Sequence, residues 1–384
     1  MKRDFKMLKT PVYIIDEKAM IKNLEILKGV EEKSGAHILL AQKAFSGFCM
    51  YPLISKYISG VTASGLYEAR LGAEEFKKEN HVFSPAFTSN EMEELVKICD
   101  HISFNSLSQL EAHRNIWQPY ANDGRLGVGI RINPEFSTQD GHEIYDPCAP
   151  GSRLGIRLCD MPGELPAAVN GLHFHTLCEQ GFEPLQETFN EFEKKFCKYL
   201  KLPQIKWLNL GGGHHITKSG YNVEGLISLV KYIRDEYDVE VYLEPGEAIA
   251  LDAGDLETTV MDIVYTDTLP VLILDTSAAC HMPDVLEMPY RPPLKDSGEI
   301  GEKSFGYRLS SRTCLAGDVI GDYSFDRKIE IGDRLTFKDM AIYSMVKNNT
   351  FNGMPLPDIA VRDASGNERV IKEFGYQDFK NRLS

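Results

Sequence analysis

The chain has 384 residues, more than one ordinary domain needs and enough for a (β/α)8 barrel of about 250 residues beside a smaller partner. With 43% apolar and 26% charged residues it reads as globular rather than disordered, and no apolar run approaches the roughly 18 residues of a membrane span. A net charge of −14 argues against a nucleic-acid partner and suits a cationic substrate, while eight cysteines without CxxC or zinc-finger spacing read as reduced cytoplasmic thiols.

The opening MKRDFKMLKTPVYII has basic residues but neither the apolar core nor the cleavage site of a signal peptide. Thr10–Asp16 reads as a short strand, and Met20, Leu24 and Leu27 follow at helical spacing. Apolar runs bounded by turn residues then recur at His37–Ala44, Gly60–Ser64, His81–Ala86, His101–Asn105, Leu126–Ile132, Gly171–Leu177, Trp207–Leu210 and Val239–Glu244. Amphipathic stripes separate several of them: Met92, Leu95, Val96 and Cys99; Phe189, Phe192 and Phe196; Val223, Leu226, Ile227 and Val230. Strands alternating with helices imply parallel βαβ units, and eight strands in this span predict a closed TIM barrel, an α/β fold. After about residue 250 the runs Thr258–Tyr265, Leu269–Leu274, Gly317–Ile320, Arg334–Phe337 and Asp358–Arg362 are short and turn-separated, the pattern of a C-terminal all-β domain. The N-terminal strand can join it. The expected division is a barrel over 17–250 and a discontinuous β-domain from 1–16 and 251–384.

Barrel chemistry sits where the strands end at their C-terminal face. Lys43 closes the first barrel strand, where partial burial lowers an ammonium pKa and makes an amine nucleophilic; a strand-end lysine can equally reach solvent. Gly211, Gly212 and Gly213 end the seventh strand as an anion cradle or a flexible turn. The eighth ends Glu244-Pro245-Gly246-Glu247, a carboxylate that could meet a pyridinium nitrogen or make a salt bridge across the barrel mouth. On the sixth, alternation puts His173 and His175 on one face, and His214 and His215 follow the glycines, so a metal-dependent hydrolase stays open. That reading leaves Lys43 and both glycine loops without roles, and no metal is expected. In the β region Cys314 (SSRTCLAGD), Tyr343 (MAIYSMVKNNTFNG), Asp275, Asp284 and Glu287 could each be structural.

Taken in order, the lysine-bearing strand, the FH segment, GGG, EPG, the lone Cys and the Tyr…FNG end resemble the fold-type III pyridoxal-phosphate (PLP) decarboxylases, the family of ornithine and diaminopimelate decarboxylases. The resemblance spans about residues 10–355. It implies an alanine-racemase-like PLP barrel plus a β-domain, working as a homodimer with shared active sites, with pyridoxal 5'-phosphate as cofactor. By resemblance, Lys43 is the Schiff-base lysine and His175 stacks on the ring. Arg131 lies near the ring, Glu244 meets its nitrogen, and Gly211–Gly213, Gly246 and Tyr343 hold the phosphate. Cys314 is similar to the cysteine donated across the dimer to protonate Cα.

Three departures bear on specificity. Glu247 stands where the family usually has the Arg of EPGR, Leu315 and Ala316 follow Cys314 where it has an acidic residue, and Cys178 replaces a Ser. A site without that Arg suits a distal carboxylate poorly. Glu247, with Asp275 or Asp284, suits a longer polycation, so the chain resembles the branch of the family acting on carboxylated polyamines. Diaminopimelate decarboxylation, racemisation with Cys314 as second base, and a non-catalytic regulatory homologue are the alternatives.

Overall fold

β1 (Val12–Asp16) is the first strand of the computed structural model, which describes residues 8–139 and 143–384. Part of the opening segment read for a signal peptide, residues 1–7, lies outside the described residues. The chain divides into two compact units, one formed by 23–249 and the other by 1–22 with 250–384.

The first unit is a closed parallel barrel of β2 (His37–Ala41), β3 (Gly60–Ala63), β4 (Glu79–Ser84), β5 (His101–Phe104), β6 (Gly127–Arg131), β7 (Gly171–His173), β8 (Trp207–Asn209) and β9 (Glu240–Leu243), in that order. All eight expected strands are present, several of them shorter than the apolar runs. β2 ends at Ala41, so Lys43 lies in the following turn; β7 ends at His173, so His175 lies just beyond it. The apolar runs continue past the last ladder hydrogen bond because residues there, such as Ala44, Phe45, Phe174 and Leu177, stay buried.

Two glycines explain how the barrel closes around a large side chain. A Cβ on Gly171 would come within 1.8 Å of the Trp207 indole, and one on Gly129 within 2.2 Å. Only glycine leaves room there. The expected stripes face inward: Phe189, Phe192 and Phe196 on the helix Phe182–Leu200, and Leu226, Ile227 and Val230 on Val223–Tyr237, are buried, while Val223 at the helix start is half-buried; Leu185 and Ile233 extend the two faces. Each such side chain contributes about 1.5–3 kcal/mol. The helix Ser89–Ile98 starts with a capping box in which Thr88 and Glu91 satisfy each other's exposed amides.

The second unit is built on a sheet in the order β13-β12-β11-β10-β1-β15-β16, comprising β10 (Gly254–Val264), β11 (Val271–Leu274), β12 (Phe305–Ser311), β13 (Val319–Phe325), β15 (Asp358–Arg362) and β16 (Glu368–Lys372) with β1; β14 (Arg334–Phe337) pairs with β10. The N-terminal strand is thus central, antiparallel to β10 and parallel to β15. β12 and β16 escaped the sequence reading because Arg308 interrupts the apolar pattern of one and the other, ERVIK, is an exposed edge. Tyr13, Leu256, Leu272, Leu274, Leu309, Tyr323 and Phe337 form its core.

Candidate active site

At the C-terminal face of the barrel the turns after β2, β7, β8 and β9 bring their side chains together. The Lys43 Nζ lies 3.3 Å from His175 Nε2, and His175 Nδ1 accepts the Gly212 N–H at 2.9 Å. Because Nδ1 accepts, the proton of the neutral ring sits on Nε2, facing the amine. Burial, then the charges of Lys43 and Arg131, hold the His175 imidazole far below its ordinary range. Burial and the Arg131 guanidinium likewise lower the Lys43 amine. Arg131 ends β6, donates from Nη2 to the His175 carbonyl at 2.9 Å and packs 4.4 Å over the Phe83 ring. Its own burial brings it down to about 10.

Glu244 follows β9. Its Oε1 accepts from Asn209 Nδ2 at 2.8 Å, and Oε2 lies 3.5 Å from His173 Nε2. Burial opposes ionisation, but His173 and the Asn209 amide outweigh it and hold the carboxyl well below the usual carboxylate range. Asn209 is a site residue that motif reading passed over. Its Oδ1 also accepts the Gly211 N–H at 2.8 Å, so one amide ties the glycine loop to the carboxylate. A polar residue inside the apolar run WLNL was the available signal.

The two glycine loops are laced together by the Glu244 N–H, which donates to Gly211 O at 2.7 Å. Gly211 and Gly213 have φ of +69° and +83°. A Cβ would come within 2.6 Å of Phe174 O at Gly211, 2.1 Å of Glu244 O at Gly212 and 1.8 Å of Leu177 O at Gly213. At Gly246 it would meet Ala44 at 2.5 Å. Glu247 is occupied by a neighbour, since its Oε2 lies 2.6 Å from His215 Nε2. His214 bonds the Tyr221 hydroxyl through Nδ1 at 2.7 Å, so the two adjacent histidines serve different partners and do not converge on one ligand position.

The sheet unit assembles its own group. The Cys314 N–H donates to Asn352 Oδ1 at 2.9 Å, joining the lone cysteine to FNG across 38 positions, and Cys314 is exposed. Asn349 donates to Ala279 O at 2.8 Å, tying the same segment to the turn before His281. Lys347 pairs with Asp284, and with Glu287 at 2.6 Å. Tyr343 has φ +55° and ψ −40°, a backbone that costs about 1–3 kcal/mol outside glycine. Asp275 accepts three donors: Oδ1 from Thr258 Oγ1 at 2.6 Å and Thr259 N–H at 2.9 Å, Oδ2 from Thr10 Oγ1 at 2.6 Å. These three donors tie Asp275 to the sheet, as Lys347 ties Asp284 and His215 ties Glu247. Asp318, not singled out from sequence, is the buried hub here, accepting from Ser277 Oγ at 2.6 Å and Thr313 Oγ1 at 2.6 Å.

A family profile described as "Pyridoxal-dependent decarboxylase, C-terminal sheet domain" matches residues 12–341. The chain belongs to this decarboxylase family. It is 42% identical to a carboxynorspermidine/carboxyspermidine decarboxylase of Campylobacter jejuni, covering 98% of this chain and 99% of the relative. It is 39% identical to a carboxyaminopropylagmatine decarboxylase of Synechocystis, covering 98% and 96%. A crystal structure of the Campylobacter jejuni carboxynorspermidine decarboxylase with norspermidine superposes with TM-score 0.90 at 41% identity, over 98% of this chain and all (100%) of that one. Diaminopimelate decarboxylase of Helicobacter pylori shares the fold, with TM-score 0.81 at 17% identity over 99% and 98% of the two chains. Among the described residues no helix is long and apolar enough to cross a membrane.

Proposed function

We propose that the chain is a PLP-dependent carboxy-lyase of polyamine biosynthesis, converting carboxynorspermidine or carboxyspermidine to norspermidine or spermidine and CO2. The observation that carries this is the array Lys43–His175–Gly212 beside the Asn209-held Glu244 carboxylate. These residues fit pyridoxal 5'-phosphate: two closely packed glycine loops, which no Cβ could enter, lie beside an amine of lowered basicity and an ionised carboxylate. When bound, the cofactor supplies an electron sink for the pair left on Cα as CO2 departs.

The chain's own groups divide the remaining work. Lys43 is the attachment point, and Glu244 keeps a proton on the pyridine nitrogen. His175, fixed by Gly212, presents its ring as a stacking face, and Arg131 holds His175 in place through its carbonyl. Gly211, Gly212, Gly213 and Gly246 are read as the phosphate loops, with Tyr343 as a further contact; the Gly211 and Gly212 N–H groups already serve Asn209 and His175, so Gly213 and Gly246 have N–H groups to offer. Cα must regain a proton, and Cys314 or Lys43 holds one to give. Cys314 is read as reaching the partner chain's barrel, which makes the enzyme a homodimer with shared sites. Glu247, Asp275 and Asp284 are read as partners for the substrate's distal ammonium groups. Eight free thiols suit a reducing compartment, the cytoplasm.

Borohydride treatment of the purified protein should fix the cofactor to Lys43, seen by peptide mass spectrometry, and Lys43→Ala should abolish turnover rather than raise KM. Label on another lysine overturns the assignment. Rates on carboxynorspermidine, carboxyspermidine, carboxyaminopropylagmatine and diaminopimelate decide the substrate; fastest turnover of diaminopimelate would sink the polyamine reading.

A further inference from the structure

The opposite, N-terminal end of the barrel carries a second set of ligating side chains that decarboxylation does not use. His37 opens β2, Glu79 opens β4, His101 opens β5 and Glu240 opens β9, while His81 lies directly across from His101 in the β4–β5 ladder. Glu79, His81 and His101 each bring one donor atom to within 4.8 Å of the others. We propose that these three side chains bind a divalent transition-metal ion of the zinc type, a structural ion that pins the base of the barrel.

Two imidazoles and a carboxylate form a borderline-soft donor set, and zinc takes such sets in four-coordinate geometry with water completing the shell. Donors about 2.0–2.2 Å from a tetrahedral ion sit roughly 3.3–3.6 Å apart, so closing the site needs side-chain movement of about 1.5 Å at most. His101 supplies an independent sign. Its Nδ1 is buried and has no hydrogen-bond partner among the described residues, a costly state that a bound ion or its water relieves.

The surroundings orient the donors. Glu79 Oε1 lies 2.9 Å from His81 Nε2, and Oε2 faces His37 Nδ1 at 3.7 Å. His37 Nε2 in turn lies 3.4 Å from Glu240, which pairs with Arg234 at 3.2 Å. Such outer partners fix ligand geometry in metal sites. The Trp207 ring stacks on His101 with centroids 4.7 Å apart, and Tyr242 lies 4.7 Å from His81, giving the cluster an aromatic wall. The His37 and Glu79 side chains are 36% and 23% exposed, which leaves a route in from solvent. The sequence reading expected no metal in this chain, and the proposal departs from it on the strength of this cluster, which lies at the other end of the strands from the histidines weighed there. The competing structure is a metal-free plug in which Glu79 and His81 simply satisfy each other.

The test uses PLP-loaded enzyme stripped with a chelator and titrated with Co2+ and Zn2+. One Co2+ per chain should bind with ligand-field bands typical of nitrogen and oxygen donors and without thiolate charge-transfer absorption, which separates the site from the eight cysteines. Zn2+ should raise Tm. Glu79→Gln, which keeps size and hydrogen bonding, should weaken Co2+ binding at least tenfold, as should His101→Phe, with decarboxylase activity and the PLP spectrum retained. Absence of stoichiometric binding, a thiolate band, or binding unchanged in the folded Glu79→Gln protein overturns the proposal in favour of the plug.

Discussion

Glu247 concentrates the specificity question in one side chain. It stands where the resemblance places an arginine, and His215 holds its carboxylate at 2.6 Å. Both side chains are about one-tenth exposed, so the charge is little screened. An ammonium brought into such a site needs a partner, since a buried unpaired charge costs several kcal/mol. Removing one partner of a buried charge pair costs about 2–5 kcal/mol, and each 1.4 kcal/mol is about tenfold. Glu247→Gln retains the volume and an acceptor for His215, so kcat/KM for carboxynorspermidine should fall by roughly ten- to a thousandfold. The absorbance of bound PLP should survive. An unchanged kcat/KM removes Glu247 from substrate binding, and a fall accompanied by loss of the PLP spectrum assigns it to the cofactor instead. Asp275 differs in its partners, since its oxygens serve the uncharged Thr10, Thr258 and Thr259 rather than a histidine.

At the scale of an element, the glycine loop after β8 can be tested against another turn in the same unit. Gly213 and Gly220 both have left-handed backbones, φ +83° and +86°. An added Cβ meets Leu177 O at 1.8 Å at Gly213 and nothing within 4 Å at Gly220. Gly220→Ala should therefore cost only the backbone strain, about 1–2 kcal/mol, and leave PLP affinity unchanged. Gly213→Ala must also push the loop off the segment after β7, and PLP affinity measured by fluorescence titration should fall more than tenfold. Equal effects of the two substitutions would mean that the loop's close approach does not shape the phosphate site. The bare triplet could not be told from a flexible turn in the sequence, since the close approach comes from Phe174 and Leu177, residues on a different strand's turn.

For the whole molecule, the proposed shared sites predict complementation. Inactive Lys43→Ala and inactive Cys314→Ala proteins, mixed under conditions of demonstrated subunit exchange, should regain partial activity, because one heterodimer site then has both residues. A mixture that stays inactive contradicts shared sites. Stability against pH tests both units together. Burial pushes His214 down to about 3 and His281 down to about 4, whereas an unfolded histidine titrates near 6.5. Below about pH 6.5 the unfolded chain thus binds protons that the folded one does not, and stability falls with acidity by up to about 1.4 kcal/mol per pH unit for each histidine. Tm should drop between pH 7.5 and 5. A flat Tm would mean that these imidazoles become protonated within the folded protein.

Hydrophobic period and turn residues by themselves determined the eight barrel strands, several of the helices between them and the all-β texture after residue 250, while the N-terminal strand's central place in the sheet came from its pairing with β10 and β15. Those signals are local: a strand or helix buries one face or both, and the spacing of its apolar residues records that wherever the chain goes. The order of lysine, histidine, glycine and glutamate motifs at successive strand ends was equally legible, because a barrel carries each strand end to one mouth. Tertiary structure alone decided the pairings. Asn209 with Glu244, Glu247 with His215, Cys314 with Asn352, and His101 beside His81 depend on which strands become neighbours, in which register and with which rotamers. The same period describes a carboxylate that secures a sheet, as Asp275 does, and one that pairs with a histidine at the barrel mouth, as Glu247 does. Only the groups within hydrogen-bond reach distinguish them, and these arrive from distant parts of the chain.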